Sequence, residues 1–411
     1  MSNTQTTLST AASLTGGGQA TYLNKTFYDK KLLETARTRL VFAKFGQKRS
    51  IPKNMGKRVE FRRYDLFLPE AAAAPLQEGI TPEGQSLSQS RVEAEVEQYG
   101  AYIEISDVLE ATSYDEVVSD SAELLGEQLG TVVEWVTRDA LSSGTNLQYA
   151  GGKTARLQIG AGDKLTVNEI RKAVRTLKKA KARLFTTDDA GNGRKPHFIC
   201  ICSPEATYDL QSDSLWQDVS KYSNAEQIYS GEIGRLFGVV FVESTEAKVF
   251  TQSVHTTVAS HTAGSSDVVI GALSPKGEAY LSQSGAKVKI GTTEHTVSAY
   301  NAKTGKLTLS AAVSTQITEG TAVYSEDAGS LDASTKAGLD VHATLVFGAD
   351  AYGVVDVMQL GCLSTIIKRP GSSGALDPLD QRGTVGAKVA AFAATILNQL
   401  WVVRIEHAVS A

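Results

Sequence analysis

The chain has 411 residues, 42% of them hydrophobic and 21% charged, with a formal net charge of −4. That balance suits a globular protein with two or three buried cores and excludes a disordered or fibrous chain. It lacks the basic excess that supports general affinity for nucleic acid, and three cysteines make no disulfide framework, which fits a reducing compartment.

The first twenty-two residues are polar, uncharged and rich in Ser, Thr and Gly. They lack the basic start and apolar core of a secretory signal and read as a flexible arm. No run of eighteen apolar residues predicts a transmembrane helix. Residues 22–45 have helical character, with Phe27, Leu32, Leu33, Leu40, Val41 and Phe45 among basic residues.

Residues 57–105 predict a long hairpin. One strand is basic (Lys57, Arg58, Arg62, Arg63 around Val59 and Phe61), and the return strand is acidic (Glu93, Glu95, Glu97 alternating with Val92, Ala94, Val96). Period-two alternation argues strand, and Pro69, Pro75, Gly79, Pro82 and Gly84 between them argue turn. A two-stranded ribbon has no second layer of its own, so another copy of the chain is the natural candidate to lie beneath it. The charges fit either register support within the ribbon or pairing between subunits.

Ser113 and Glu116 form a capping-box pattern, and Val118, Ala122, Leu125, Leu129, Val132, Val133, Val136 and Ala140 repeat at helical spacing. A rod over 113–144 would be about 45 Å long. A Gly-rich connection leads to a second helix, opened by Thr166 and Glu169, with an apolar stripe of Ile170, Ala173, Val174 and Leu177. Its other face carries Arg171, Lys172, Arg175, Lys178, Lys179, Lys181 and Arg183. A solvated surface is the favoured reading of that face; against DNA it would meet phosphates without sequence preference.

Strands are predicted over 197–202 and 238–243, with a helix after Pro204. From about 252 to 327 helical periodicity disappears, and runs at 267–271, 286–290, 295–300, 306–310 and 321–324 predict a small β module. A turn at Asn301 to Gly305 joins two of them. Strands at 342–348, 384–396 and 401–406 complete the chain.

No catalytic constellation emerges. The six histidines are scattered, Cys200 and Cys202 share one strand face without further ligands, and no three-glycine dinucleotide loop or nucleophile elbow is present. Carboxylates are expected outside apolar runs, where burial would tune them for acid–base work. Neither enzyme activity nor a cofactor or metal is expected.

The order of arm, extended hairpin, long helix and mixed domain resembles the major capsid proteins of tailed bacteriophages, which share the Hong Kong 97-type fold. Tyr22-Leu-Asn-Lys-Thr-Phe-Tyr28 with Leu32-Leu33 is similar to the amino-terminal signature of the phage N4-like major capsid family, as are Tyr102-Ile-Glu-Ile-Ser-Asp107, Ile201-Cys-Ser-Pro-Glu205, Gly231-Glu-Ile-Gly-Arg-Leu-Phe-Gly238 with Phe241-Val-Glu-Ser-Thr245, Phe347-Gly348 with Ala351-Tyr-Gly353, and Asp377-Pro-Leu-Asp-Gln381. The resemblance implies an α+β capsid fold: an arm (1–50), an extended hairpin loop (51–106), a peripheral domain with a spine helix (107–165), an axial domain (166–251 and 331–375) interrupted by an inserted all-β module (252–330), and a return to the peripheral domain (376–411). It implies a shell protein that assembles into hexamers and pentamers of an icosahedral head around double-stranded DNA, in the virion after assembly in the host cytoplasm. Inter-subunit contact candidates are Lys57, Arg58, Arg62, Arg63, Glu93, Glu95 and Glu97. Expected partners are further copies of the chain, a separate scaffold, portal and decoration proteins, and packaged DNA contacted non-specifically, with no membrane. The alternatives are a nanocompartment shell around protein cargo, or a soluble α/β enzyme with a carbohydrate-binding module.

Overall fold

The apolar repeat at three- and four-residue spacing folds as one helix, Val117–Ser142, of 26 residues. It is about 39 Å long at the standard rise. In the computed structural model, the described residues are 40–49, 57–64, 84, 86–112, 117–186, 196–220, 234–283, 285–355, 363–368, 379 and 381–410. The arm up to residue 39, the hairpin tip and the Ser113–Glu116 capping pattern lie outside them.

The chain divides into two units. The first comprises Met1–Ser143 and Ala349–Gln399, the second Gly144–Gly348 and Leu400–Ala411. Each of three expected blocks is therefore split. Residues 107–165 divide after Ser143, 331–375 divide after Gly348, and 376–411 divide because its last strand joins the second unit's sheet.

In the first unit the long helix packs on an antiparallel sheet ordered Leu363–Lys368, Arg382–Phe392, Glu97–Ser106. Alternation buries Ile105, Val385, Ala387 and Val389 and leaves Tyr102 and Ile366 exposed. Within the expected strand 384–396, the pattern splits into Arg382–Phe392 and Ala394–Ile396. A second small sheet joins Gln47–Arg49, Tyr352–Val355 and Ala394–Ile396. Of the expected helix over 22–45, the described part is a single 3-10 turn, Phe42–Lys44.

The second unit is built on a seven-stranded mixed sheet. Along it lie Leu147–Tyr149, Val402–His407, Val341–Phe347, Phe198–Cys202, Val239–Glu243 and Gly234–Leu236, and Val249–Phe250 also pairs with Val341–Phe347. The central strands Val402–His407 and Val341–Phe347 are buried along their whole length. Helices Val167–Lys179 and Pro204–Gln211 supply Ile170, Leu177, Ala206 and Leu210 to the same core as Phe198, Phe241 and Val346.

The 252–330 segment closes a barrel in the order His255–His261, Asp267–Ile270, Lys306–Leu309, Thr293–Asn301, Lys287–Ile290, Ala322–Tyr324. Val258, Val268, Ile290, Val297, Leu307 and Val323 fill it. Closure removes the exposed edges of its six strands. Gly305 makes the turn after Asn301 with φ +62, and a Cβ there would lie 2.8 Å from the Ile270 carbonyl. The expected all-β character needs one correction: Ser274 caps a helix, Pro275–Leu281, whose Leu281 enters the barrel core.

Candidate assembly surfaces

Five of the seven hairpin candidates, Arg58, Arg62, Arg63, Glu93 and Glu95, fall on two paired strands, Arg58–Tyr64 and Gln89–Glu95. On one face Val59, Phe61 and Ala94 are buried and cluster with Val355 and Ala393 of the same chain. Phe61 packs so close to Gly353 that a Cβ there would stand 2.4 Å from the ring. The expectation that another copy underlies this ribbon is thus corrected for its described base. Strand Tyr352–Val355, remote in sequence, supplies that layer.

The outer face does not pair basic against acidic rung by rung. Arg58 stands opposite Glu95, but Glu60 faces Glu93 and Arg62 faces Arg91. Like charges directly opposite are destabilising, and the ion pairs that form run diagonally (Arg58 to Glu93, 3.5 Å) or along the strand (Arg62 to Glu60, 2.9 Å). Both are exposed and worth less than about 1 kcal/mol each. Lys57 is exposed and its carbonyl accepts the Val96 N–H. Arg63 pairs with Ser90 in the ladder. Glu97 lies beyond the ribbon, opening strand Glu97–Ser106, where it accepts from the Tyr99 hydroxyl at 2.7 Å. That bond and burial push the Tyr99 hydroxyl up to about 12, burial contributing most.

A second surface is the outward face of the three-stranded sheet. Tyr102, Gly386 and Ile366 share one rung, and together with Lys368 and Lys388 they line an open groove of about 510 Å³. Tyr102 is 67% exposed and Ile366 44%, so apolar area here stands uncovered within the chain.

Two fully buried carboxylates escaped the sequence reading. Glu134 sits among Val132, Val133, Trp135 and Val136 and is fully buried; its carboxylate accepts the N–H groups of Phe42 (2.8 Å) and Ala43 (3.2 Å). Glu406 is also fully buried and takes a forked bond from Arg156, at 2.7 and 2.8 Å. Arg404 lies 3.0 Å away as an ion pair without hydrogen-bond alignment, and the Arg156 guanidinium stacks 3.5 Å over Phe250. The signal was present, since each acid interrupts an apolar run. Both accept hydrogen bonds from groups distant in sequence and so tie separate segments of the chain together.

Cys200, Cys202, Ser203, His342 and His407 make structural contacts. Cys200 and Cys202 are buried in the second unit's core, and burial raises the Cys200 thiol well above its ordinary range. Ser203 touches His342 at 3.0 Å but serves as a helix cap, accepting the Ala206 N–H. His407 is buried between the Thr344 hydroxyl and the Ala408 carbonyl, each at 2.9 Å, and burial pushes it down to about 4. Among the described residues no cluster of three acidic, His or Cys side chains could hold a metal.

Residues 137–275 match the model of a family described as phage capsid protein. No curated protein matches the chain by sequence. Among solved structures, the capsid of Ralstonia phage GP4 is similar at 12% identity and TM-score 0.55, over 89% of this chain and 88% of that one. The head structure of Helicobacter pylori bacteriophage KHP40 is similar at 11% identity and TM-score 0.53, over 90% of this chain and 88% of the other. The acidic stable capsid of Helicobacter pylori bacteriophage KHP30 follows at 10% identity and TM-score 0.52, over 88% and 87%. The fold is of the Hong Kong 97 type.

Proposed function

We propose that this chain is the major capsid protein of a tailed bacteriophage, related to the phage N4-like family, and that it assembles into hexamers and pentamers of an icosahedral head enclosing double-stranded DNA. The observation that carries the proposal is the capsid-type fold spanning 89% of the chain, together with the family match over residues 137–275. Its work is structural rather than catalytic, and the buried acids and histidines are consistent with that.

Many modest contacts, repeated around local symmetry axes, sum to a stable shell. The first unit would take the part of the peripheral domain, with Val117–Ser142 as its spine. The second would be the axial domain, with the barrel as an insertion. Arg58, Arg62, Glu93 and Glu95 would meet a neighbouring subunit through the ribbon's outer face, with Lys57, Arg63 and Glu97 as further contact candidates beside it. Stacked like-charged rungs, acidic at Glu60/Glu93 and basic at Arg62/Arg91, suit an external partner of complementary charge. Assembly would take place in the host cytoplasm, with scaffold, portal and decoration proteins as partners and the virion as destination.

Sedimentation of the purified chain tests this reading. Capsomers or larger particles are expected, and a strictly monomeric chain at high concentration would overturn it.

A further inference from the structure

We infer that the outward face of helix Val167–Lys179 and its C-terminal extension is a docking surface for the phosphate backbone of duplex DNA, read without regard to sequence. The inference rests on the shell reading for its biological setting.

First, the face is of one sign. Arg171, Arg175, Lys178, Lys179, Lys181 and Arg183 are exposed along it. The only carboxylate of the helix, Glu169, is turned inward, buried, and engaged by Lys172 at 2.7 Å and by Gln148. A merely solvated helix normally mixes signs, because Glu–Lys pairs four residues apart stabilise it and like charges at that spacing do the reverse. Here Arg171, Arg175 and Lys179 follow one another at that spacing. The helix dipole accounts for cations in the last turn, Lys178 and Lys179, but not for Arg171 and Arg175. In a chain whose formal net charge is −4, this concentration is local.

Second, the helix ends in a paired turn: the Ala182 N–H reaches the Leu177 carbonyl and the Lys181 N–H reaches the Lys178 carbonyl, both at 3.0 Å. Lys181 holds the left-handed position of that motif at φ 53, where glycine is the ordinary residue. A cation is kept there at a conformational cost.

Third, the same thing happens beside the helix. The two-residue turn between Gly234–Leu236 and Val239–Glu243 places Phe237 at φ 49, a position that favours Asn or Gly. Its ring is 47% exposed, and the Arg171 guanidinium lies 5.1 Å from the ring centroid, which orients that cation. Two strained non-glycine residues thus flank one cationic face, a pattern typical of ligand-binding surfaces.

Fourth, the spacing suits a phosphate backbone. From Arg171 to Lys179 the cations extend over about 12 Å of helix, comparable to a few successive phosphates. The exposed face offers Arg and Lys, which neutralise phosphates, and few other side chains. An acidic surface of a second copy is the competing occupant.

The test is binding of a fluorescent duplex of about 20 base pairs and arbitrary sequence to the purified full-length chain, across 50 to 200 mM salt. Neutralising four phosphates gives a log–log salt slope of about −4. The variant with Arg171, Arg175, Lys178 and Lys179 all changed to Gln is expected to bind more than tenfold weaker at low salt and to lose most of that slope. Lys181→Gly and Phe237→Asn each relieve backbone strain, so each should melt no lower than the parent while binding the duplex several-fold more weakly. Unchanged affinity and slope in the fourfold variant would overturn the inference. Loss of self-association with duplex binding intact would also overturn it, in favour of the second copy. Particle formation by the parent chain is scored separately: its failure would overturn the shell reading and leave the duplex result standing on its own.

Discussion

Glu134, fully buried midway along the long helix, receives the backbone N–H of Phe42 on its carboxylate at 2.8 Å. The same carboxylate takes the next N–H, Ala43, and the Tyr352 hydroxyl donates to the Phe42 carbonyl. A helix, a 3-10 turn and a strand from distant parts of the sequence are thus tied at one point, where the amino-terminal segment meets the first unit. Burial raises the Tyr352 hydroxyl well above its ordinary range, and the Glu134 charge adds to that, so it remains a donor at any working pH. Glu134→Leu strands two buried N–H groups and should cost about 3 kcal/mol by urea unfolding. Tyr352→Phe should cost about 1 kcal/mol. Equal, negligible losses would mean the knot is not structural.

Phe61 and Gly353 are expected to be thermodynamically coupled. A Cβ at 353 meets the ring at 2.4 Å, so Gly353→Ala should destabilise by about 1–3 kcal/mol through overpacking. Phe61→Ala should cost about 3–5 kcal/mol. The double variant should lose less than the sum, because removing the ring makes room for the methyl. Strict additivity in a double-mutant cycle would mean that the two do not touch in solution.

Stability should fall on mild acidification. His407 is held neutral, down to about 4 against an ordinary value of 6.5, mainly by burial, and His342 is lowered in the same direction by the same cause. A lowered imidazole binds its proton more readily in the unfolded chain. Its contribution is therefore complete above about pH 6.5 and is lost progressively as pH falls toward 4. For His407 alone that amounts to about 3 kcal/mol. The Ala408 carbonyl can only accept, so Nδ1 carries the proton, and His407→Asn keeps a donor that cannot titrate. This variant should show a flatter dependence of unfolding free energy between pH 6.5 and 4. The same slope in both proteins would remove His407 from the explanation.

Charge reversal on the ribbon's outer face separates its two roles. Arg58→Glu with Arg62→Glu breaks two exposed ion pairs, so the isolated chain should lose no more than about 2 kcal/mol. Assembly should suffer far more, seen as a shift from large to small species in sedimentation. Comparable loss of both would assign the charges to the ribbon's own register.

Local periodicity carried most of the secondary structure, and the failures have a common cause. The strands at 198–202, 239–243 and 402–407 and the long helix follow from patterns contained within a few turns of chain. Thr166 and Glu169 look like a capping box, yet Thr166 makes no side-chain cap; Asp213, forty-six residues on, accepts the Val167 N–H, and Glu169 turns to Lys172 and Gln148. The layer under Phe61 is supplied by Gly353 and Val355, which no local pattern near residue 61 announces. The helix at Pro275–Leu281 is a short cap-and-turn of seven residues, too brief for a period to register. The charged ribbon was legible as charge, but the rungs depend on register, and that is set by the buried alternation of Val59 and Phe61 against Ala94 and Val92. The proposed shell role was suggested in the sequence only by the resemblance, since an assembly surface carries no short chemical motif.

The most direct measurement is electron microscopy of the purified full-length chain at high concentration, with class averages of whatever particles form. Closed icosahedral shells, or capsomers with five- and six-fold symmetry, are the expected result. A uniform field of monomers, with the ribbon around Arg58 and Glu93 protected from proteolysis without any partner, would contradict the proposal that this chain builds a capsid.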